Sequence, residues 1–383
     1  RFFLMNKRNP PDAPLKFSRH CNGIDREALT DILEINGCDT SVNLSPHYVV
    51  RSIYNNTPEM YALCWLEQSL AFDFMKSLAP DKLLLDDEWH AQSTVFFRDY
   101  KLPPEYMELS LWLGHLHGMG ANEIWHWGRS PHGRRLKKDL IDSFCMQPVT
   151  MNTYYHGMLQ LNALSKEVVA LAETPKQIRL LYSEPSAIID QDFLDANLAA
   201  YQAAYFHGQA VGYITERQLI KNDIPKDCKL LIVPHVKYVS NNTVARLKQF
   251  ASQGGKILFI GKDNLAFNHD VIARDKSALE FMKNQTCIPA MHPKKLHDEA
   301  AKLVHKHKLY GAVNAGSQFG VRVQSADYKG KKLIFAANLL SKPVTIKRLN
   351  GASKKLKNLQ TGNIENNLNI KLKPMQMKLY KTI

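Results

Sequence analysis

Lys82-Leu83-Leu84-Leu85-Asp86-Asp87-Glu88-Trp89-His90 sets an apolar run directly against three carboxylates. The leucines read as a short strand over Lys82–Leu85, of the kind a parallel sheet buries on both faces. The carboxylates then follow at the strand's carboxyl end, where α/β barrels place their catalytic groups. Side chains alternate along an extended chain, so Asp86 and Glu88 share one face and Asp87 points away. Carboxylates crowded beside Trp89 have shifted proton affinities, and such groups serve as nucleophiles or bases.

On either side of this stretch, short apolar segments alternate with longer helical ones. Upstream, Ala13–Ser18 reads as a strand, Asp25–Asn36 as a helix ended by Gly37, and Thr40–Leu44 as a strand. Glu59–Leu78 is a long helix with Leu63, Leu66, Leu70 and Phe74 at helical spacing. Downstream come a helix over Pro104–Gly118 and a strand over Glu123–Trp127. This βαβα alternation predicts a parallel sheet. Trp125 and Trp127 share a face of the last strand, and one of them could offer a flat apolar platform to a sugar ring. In the loop that follows, Arg129 or His132 could reach a hydroxyl. Residues 1–171 hold at most four βα units, whereas a complete (β/α)8 barrel needs about 250 residues.

Residues 172–292 repeat the alternation: strands Ile178–Tyr182, Val211–Thr215, Leu230–Pro234 and Lys256–Gly261, with helices Asp192–His207 and Asn241–Gln253 between them. A small doubly wound α/β domain is expected. It lacks a nucleophile elbow, because Pro234-His235-Val236-Lys237 follows its third strand with no Ser or Cys between glycines. Residues 293–383 switch to period two, with strands at 321–324, 332–336, 344–347 and 368–372 and a hairpin turn at Asp327-Tyr328-Lys329-Gly330. They predict a small antiparallel β-sandwich.

The formal charge is +14, and it is not spread evenly. From Lys294 onward there are 19 Lys and Arg against 4 Asp and Glu, while the first 293 residues carry 31 basic and 32 acidic groups. Lys329, Lys331 and Lys332 are assigned to one turn of the basic region and Lys354, Lys355 and Lys357 to another, on a solvated face. No aromatic interleaving accompanies them, which disfavours a nucleic-acid partner. No apolar run approaches the ~18 residues of a membrane span. The six cysteines are scattered without a CxxC, so neither a zinc knuckle nor a disulfide framework is expected, and a reducing compartment such as the cytoplasm is favoured.

Order and motifs together resemble the C-terminal half of a glycoside hydrolase family 42 β-galactosidase. The family's barrel strand seven carries Lys-Pro-aromatic-aromatic-Leu-Met-Glu, matched in spacing by Lys82-Leu-Leu-Leu-Asp86-Asp87-Glu88. Its Pro-Gly-Glu-Met, Leu-Trp and His-Gly-Ala-Asp segments correspond to Pro104-Glu105-Tyr106-Met107, Leu111-Trp112 and His117-Gly118-Met119-Gly120-Ala121-Asn122. An aromatic segment closing in Trp-Arg is matched loosely by Trp125-His126-Trp127-Gly128-Arg129. The resemblance implies the last strands of a (β/α)8 barrel over 1–171. It implies an amidotransferase-like trimerisation domain without an active site over 172–292, and a C-terminal β domain over 293–383.

The family reaction is retaining hydrolysis of terminal β-galactosides. The resemblance makes Glu88 the nucleophile; beside it Asp86, Trp89, His90, Trp125, Trp127 and Arg129 are read as the candidate substrate-binding residues. The family's acid/base glutamate follows an asparagine on strand four; no Asn-Glu pair precedes Glu88, so that residue is expected outside this sequence. Two departures from the family stand out: Asp86 and Asp87 replace its apolar pair, and Trp89-His90 follow the glutamate where the family has small or polar groups. No cofactor or metal is implied, and the expected partners are a β-galactoside or oligosaccharide and further copies of the chain in a trimer. Two other readings compete: a non-catalytic carbohydrate-binding or assembly subunit, and an unrelated α/β enzyme holding a divalent cation through Asp86 and Glu88.

Overall fold

The computed structural model describes residues 25–40, 42, 62–89, 103–124, 144 and 147–383. The strand expected over Ala13–Ser18, most of that over Thr40–Leu44, and His90, Trp125, Trp127 and Arg129 lie outside them. The architecture is mixed α/β, with two parallel sheets followed by antiparallel ones.

The first sheet is built from β1 (Asn36–Cys38), β2 (Leu84–Trp89) and β3 (Met119–Ile124), parallel and in that spatial order. Helix Leu66–Leu78 joins the first pair and is buried on nearly every side, as an apolar helix caught between layers must be. Helix Pro104–Leu116 joins the second pair and opens with proline at its first position, where the missing N–H costs nothing.

Three differences from the sequence expectation bear on the site. The first helix ends at Ile32 rather than Asn36, because Leu33 turns to extended backbone and Asn36 starts β1. Asn36 Nδ2 then donates to the Met75 carbonyl at 2.7 Å. Gly37 is a strand residue and not a helix cap: a Cβ there would stand 2.9 Å from the Leu85 carbonyl oxygen, so only glycine lets β1 lie this close to β2. The strand expected at Lys82–Leu85 begins at Leu84 and runs on to Trp89, so the carboxylates lie within it and do not follow it: Asp86 is paired on both sides, and Asp87 and Glu88 fall in an irregularity before pairing resumes at Trp89. The strand expected at Glu123–Trp127 starts at Met119.

The second sheet contains β4 (Ile178–Tyr182), β5 (Val211–Thr215), β6 (Leu230–Pro234), β7 (Lys256–Ile260) and β8 (Thr286–Ile288) in the order β5-β4-β6-β7-β8, all parallel. Every residue of β5 and β6 is buried, which is why these strands read as unbroken apolar runs. Side-chain caps start the connecting helices: Ser240 accepts from the Thr243 N–H, and Thr215 forms a capping box with Gln218. Helix Pro293–Lys306, beyond the boundary drawn at residue 293, packs against helix Gln191–Ala204 beside this sheet.

The third part holds β9 (Val321–Tyr328), β10 (Lys331–Asn338), β11 (Val344–Arg348), β12 (Lys355–Asn358), β13 (Ile364–Asn366), β14 (Leu368–Leu372) and β15 (Met377–Thr382). Five of them form an antiparallel sheet in the order β13-β12-β15-β10-β9, and β11 pairs with β14. Lys331 and Lys332 begin β10, and Lys355 and Lys357 lie on β12, so four of the six clustered lysines belong to strands and not to turns.

A buried polar chain crosses from the first part to the second. Asp73 accepts from the Tyr201 hydroxyl at 2.7 Å and lies 2.9 Å from His117 Nδ1. His117 Nε2 meets the Tyr205 hydroxyl at 3.0 Å, which also contacts Ser69. Burial depresses the basicity of His117, with the Asp73 charge opposing it. Burial works against ionisation of Asp73 too. The His117 contact, then Lys176 and the Tyr201 hydroxyl, nevertheless keep its carboxyl below the ordinary range. The consistent state is an ionised Asp73 accepting from the Nδ1–H of a neutral His117, whose Nε2 accepts from Tyr205.

Candidate functional site

The site grows from the carboxyl-terminal half of β2. In register, Cys38 on β1, Asp86 on β2 and Asn122 on β3 form one row across the sheet. Beyond that row the pairing slips, and Trp89 comes opposite Ile124. Three steps on β2 are matched by two on β3, an irregularity of the kind that bends a strand and re-aims its side chains. Asp86 is fully buried, Asp87 exposed, Glu88 half-buried and Trp89 fully buried. Strict alternation therefore ends after Asp87. Of the three carboxylates, Asp87 and Glu88 have surface open to solvent, and Asp86 and Trp89 stand behind them.

Burial pushes the Asp86 carboxyl up to about 9; the Thr40 and Glu88 backbone N–H groups pull it down, and the Asp39 and Asp87 charges add to the rise. A carboxyl with that affinity keeps its proton at neutral pH and is a hydrogen-bond donor. The neighbouring Cys38 thiol is pushed well up, first by burial and then by Asp86, Asp87 and Asp39, so it is an inert apolar group.

Trp89 stacks at an angle on Tyr154, with centroids 5.8 Å apart, and Phe144 meets Tyr154 edge-on at 5.6 Å. The Tyr154 hydroxyl donates to Asn122 Oδ1 at 2.9 Å, fixing the amide beside Asp86. Tyr154 lies on helix Pro148–Ala163. No motif in the sequence connects it to Asn122, 32 positions earlier; only the helix's return across β3 brings them together. Among the sequence-derived site residues the structure thus gathers Asp86, Glu88 and Trp89 on one strand segment.

A second cluster lies at the carboxyl end of β6, where a nucleophile elbow would sit. His235 has a left-handed backbone, with φ of 54°. Its Nε2 is 3.4 Å from Asp190 Oδ2, and Lys237 Nζ is 2.7 Å from the same oxygen. Ligand atoms of Asp190, Asp192 and His235 come within 4.8 Å of one another. The Lys237 ammonium already occupies the cation position on Asp190, and this donor set carries no metal assignment.

No protein-family model and no curated protein matches the sequence. Solved structures do match. An apo exo-carrageenase of family GH42 from Bacteroides ovatus is similar with 24% identity and a TM-score of 0.75, over 94% of this chain and 49% of its own. A GH42 β-galactosidase from G. stearothermophilus, a catalytic mutant, has 15% identity and a TM-score of 0.72, over 97% of this chain and 62% of its own. A β-galactosidase from Bacillus circulans sp. alkalophilus has 11% identity and a TM-score of 0.69, over 94% and 62%. The chain spans about half to three fifths of the length of these proteins. At this identity the likeness concerns the fold alone: the chain's fold is similar to that of part of these GH42 proteins.

Proposed function

We propose that the chain forms part of a retaining glycosidase acting on terminal β-galactosides, with Glu88 as nucleophile. In this reading β1, β2 and β3 are the last strands of a (β/α)8 barrel, and the acid/base carboxylate, ~5 Å from Glu88 in a retaining pair, comes from outside this sequence. The carrying observation is a half-buried carboxylate at the carboxyl end of the middle strand of a parallel sheet, in a chain with a GH42-like fold. Trp89 and the Asn122–Tyr154 pair stiffen the wall behind it, and protonated Asp86 adds no second negative charge to the nucleophile's surroundings. His90, Trp125, Trp127 and Arg129 complete the sugar site. The five-stranded parallel sheet, whose order is that of flavodoxin-like domains, serves assembly into a trimer, and the antiparallel strands form the terminal β-sandwich.

A fluorinated galactoside tests the central assignment, because it slows hydrolysis of the covalent intermediate. In the enzyme completed by its acid/base residue, the label is expected on Glu88, and Glu88→Ala should lose at least a thousandfold in turnover, about 4 kcal/mol in barrier. Asp86→Asn replaces a neutral carboxyl by a neutral amide and should stay within about tenfold of wild type. Label on Asp86 or Asp87, or turnover of a chromogenic galactoside by the 383-residue chain alone, would refute the assignment. Sedimentation of the completed enzyme should give a trimer, and a monomer would remove the assembly role.

A further inference from the structure

We propose that the outer face of the β11–β14 ribbon, with the strand entry beside it, binds an anionic polysaccharide. Between residues 339 and 383 the chain carries ten Lys and Arg and a single carboxylate, Glu365. Glu365 is already engaged by Lys378 at 2.8 Å and by the Tyr380 hydroxyl at 2.8 Å, on the other sheet. The ribbon keeps Val344, Ile346, Ile370 and Leu372 inward, and Thr345, Lys347, Lys371 and Lys373 are exposed. Thr345 stands directly opposite Lys371. Lys347 follows Thr345 by two residues, ~7 Å along the strand. The Asn367 N–H donates to the Lys354 carbonyl at 2.9 Å, which brings Lys354 and Lys355, both exposed, to the start of β14.

None of these lysines has an ion pair within the described residues; Lys294, Lys302 and Lys283, by contrast, are matched by Asp298, Glu299 and Glu280. Like charges held on one ribbon repel, and the fold offsets nothing of that locally; a ligand carrying several negative groups would. No aromatic side chain lies between residues 339 and 379, so the face has no ring on which a base could stack. Regularly spaced anionic groups on a sugar chain suit such a surface better than a nucleic acid. The inference rests on reading the chain as part of a glycan-acting enzyme. It stands apart from the Glu88 labelling experiment, which these lysines do not influence.

The test is titration of the 383-residue chain with carrageenan, a neutral galactan and duplex DNA at several salt concentrations. Carrageenan should bind, with an affinity that falls steeply as salt rises. Lys347→Gln, Lys371→Gln and Lys373→Gln together should weaken it at least tenfold and flatten the salt dependence, with melting temperature unchanged or raised. The control Lys283→Gln, Lys294→Gln and Lys302→Gln removes the same charge elsewhere and should leave binding within twofold. Equal losses in both triple variants would reduce the effect to net charge and overturn the proposal. So would DNA or neutral galactan binding as tightly as carrageenan, or no carrageenan binding at all.

Discussion

His207 and His297 lie face to face, their ring centroids 4.4 Å apart and their planes 9° from parallel, and both are almost fully buried. Phe206 and Phe319 close around His297, and His207 Nδ1 meets the Ser317 hydroxyl at 2.9 Å. The charged groups nearby are His305 for His207, and Asp298 and Lys294 for His297. Burial lowers the His297 imidazole to about 4, with Asp298 opposing and Lys294 adding; burial, then His297 and His305, hold His207 well below its usual value. In the unfolded chain both titrate near 6.5. Their folded affinities are depressed, so the unfolded chain binds more protons as pH falls below about 6.5, and stability declines from there toward pH 4. With His297 unprotonated down to about pH 4, its ring should remove about 2 kcal/mol between pH 7 and pH 5, and His207 adds in the same direction. Urea melts at the two pH values should show this loss, and His297→Phe, set among aromatic neighbours, should remove about half of it. A pH dependence identical in the variant would show that this pair does not govern acid sensitivity.

At the scale of elements, the hairpin between β9 and β10 turns on Lys329 and Gly330, which both have left-handed backbones, with φ of 51° and 72°. That is the two-residue type I′ turn, whose twist matches the strands it joins. Lysine is a poor residue for the first position, and asparagine a good one. Lys329→Asn should stabilise the protein by a few tenths of a kcal/mol, and Gly330→Ala should destabilise it by about 1 kcal/mol in thermal or denaturant melts. The turn was legible in the sequence because Asp327-Tyr328-Lys329-Gly330 separates two alternating strands. So were β4, β5, β6 and β14, whose observed limits are those expected, since the first three are apolar runs bounded by polar ends and the last alternates. The continuation of β2 through Asp86, Asp87 and Glu88 was not legible. Acidic residues suggest the end of a strand, and only the backbone of β3 alongside them shows that pairing resumes at Trp89. For the same reason the sequence placed Asp86 on the face of Glu88 but could not reveal its complete burial, which depends on β1, itself three residues long and preceded by a helix that ends early. The chemistry of the cluster was visible; its depth was not.

At the scale of the whole molecule, the question is how three parts of different architecture are held as one body. Arg322 on β9 is the pivot, with 1% of its surface exposed. Its Nη1 donates to the carbonyls of Tyr205 at 2.6 Å and Gln209 at 2.7 Å, just beyond helix Gln191–Ala204, and its guanidinium lies 4.3 Å from the Tyr205 ring centroid. Nη2 donates to Gln324 Oε1 at 2.8 Å, and Gln324 Nε2 reaches the Leu171 carbonyl at 2.6 Å, at the end of helix Ser165–Ala172. Through Tyr205 the same chain continues to His117 and Asp73 in the first part. Five donors in a planar fork let one arginine serve several acceptors, and lysine could not reproduce the arrangement. Arg322→Ala leaves two buried carbonyls without this donor and removes the cation from the Tyr205 ring. Each orphaned carbonyl costs about 1–3 kcal/mol, so a total of about 3–5 kcal/mol is expected, and Arg322→Lys should recover less than half of it. The loss falls on the junction and spares the sheets. Calorimetry should therefore show one cooperative transition in the wild type and two in Arg322→Ala, the antiparallel sheets melting apart from the parallel ones. A single transition with an unchanged midpoint would show that apolar contact alone joins the parts and that Arg322 only fills the space between them.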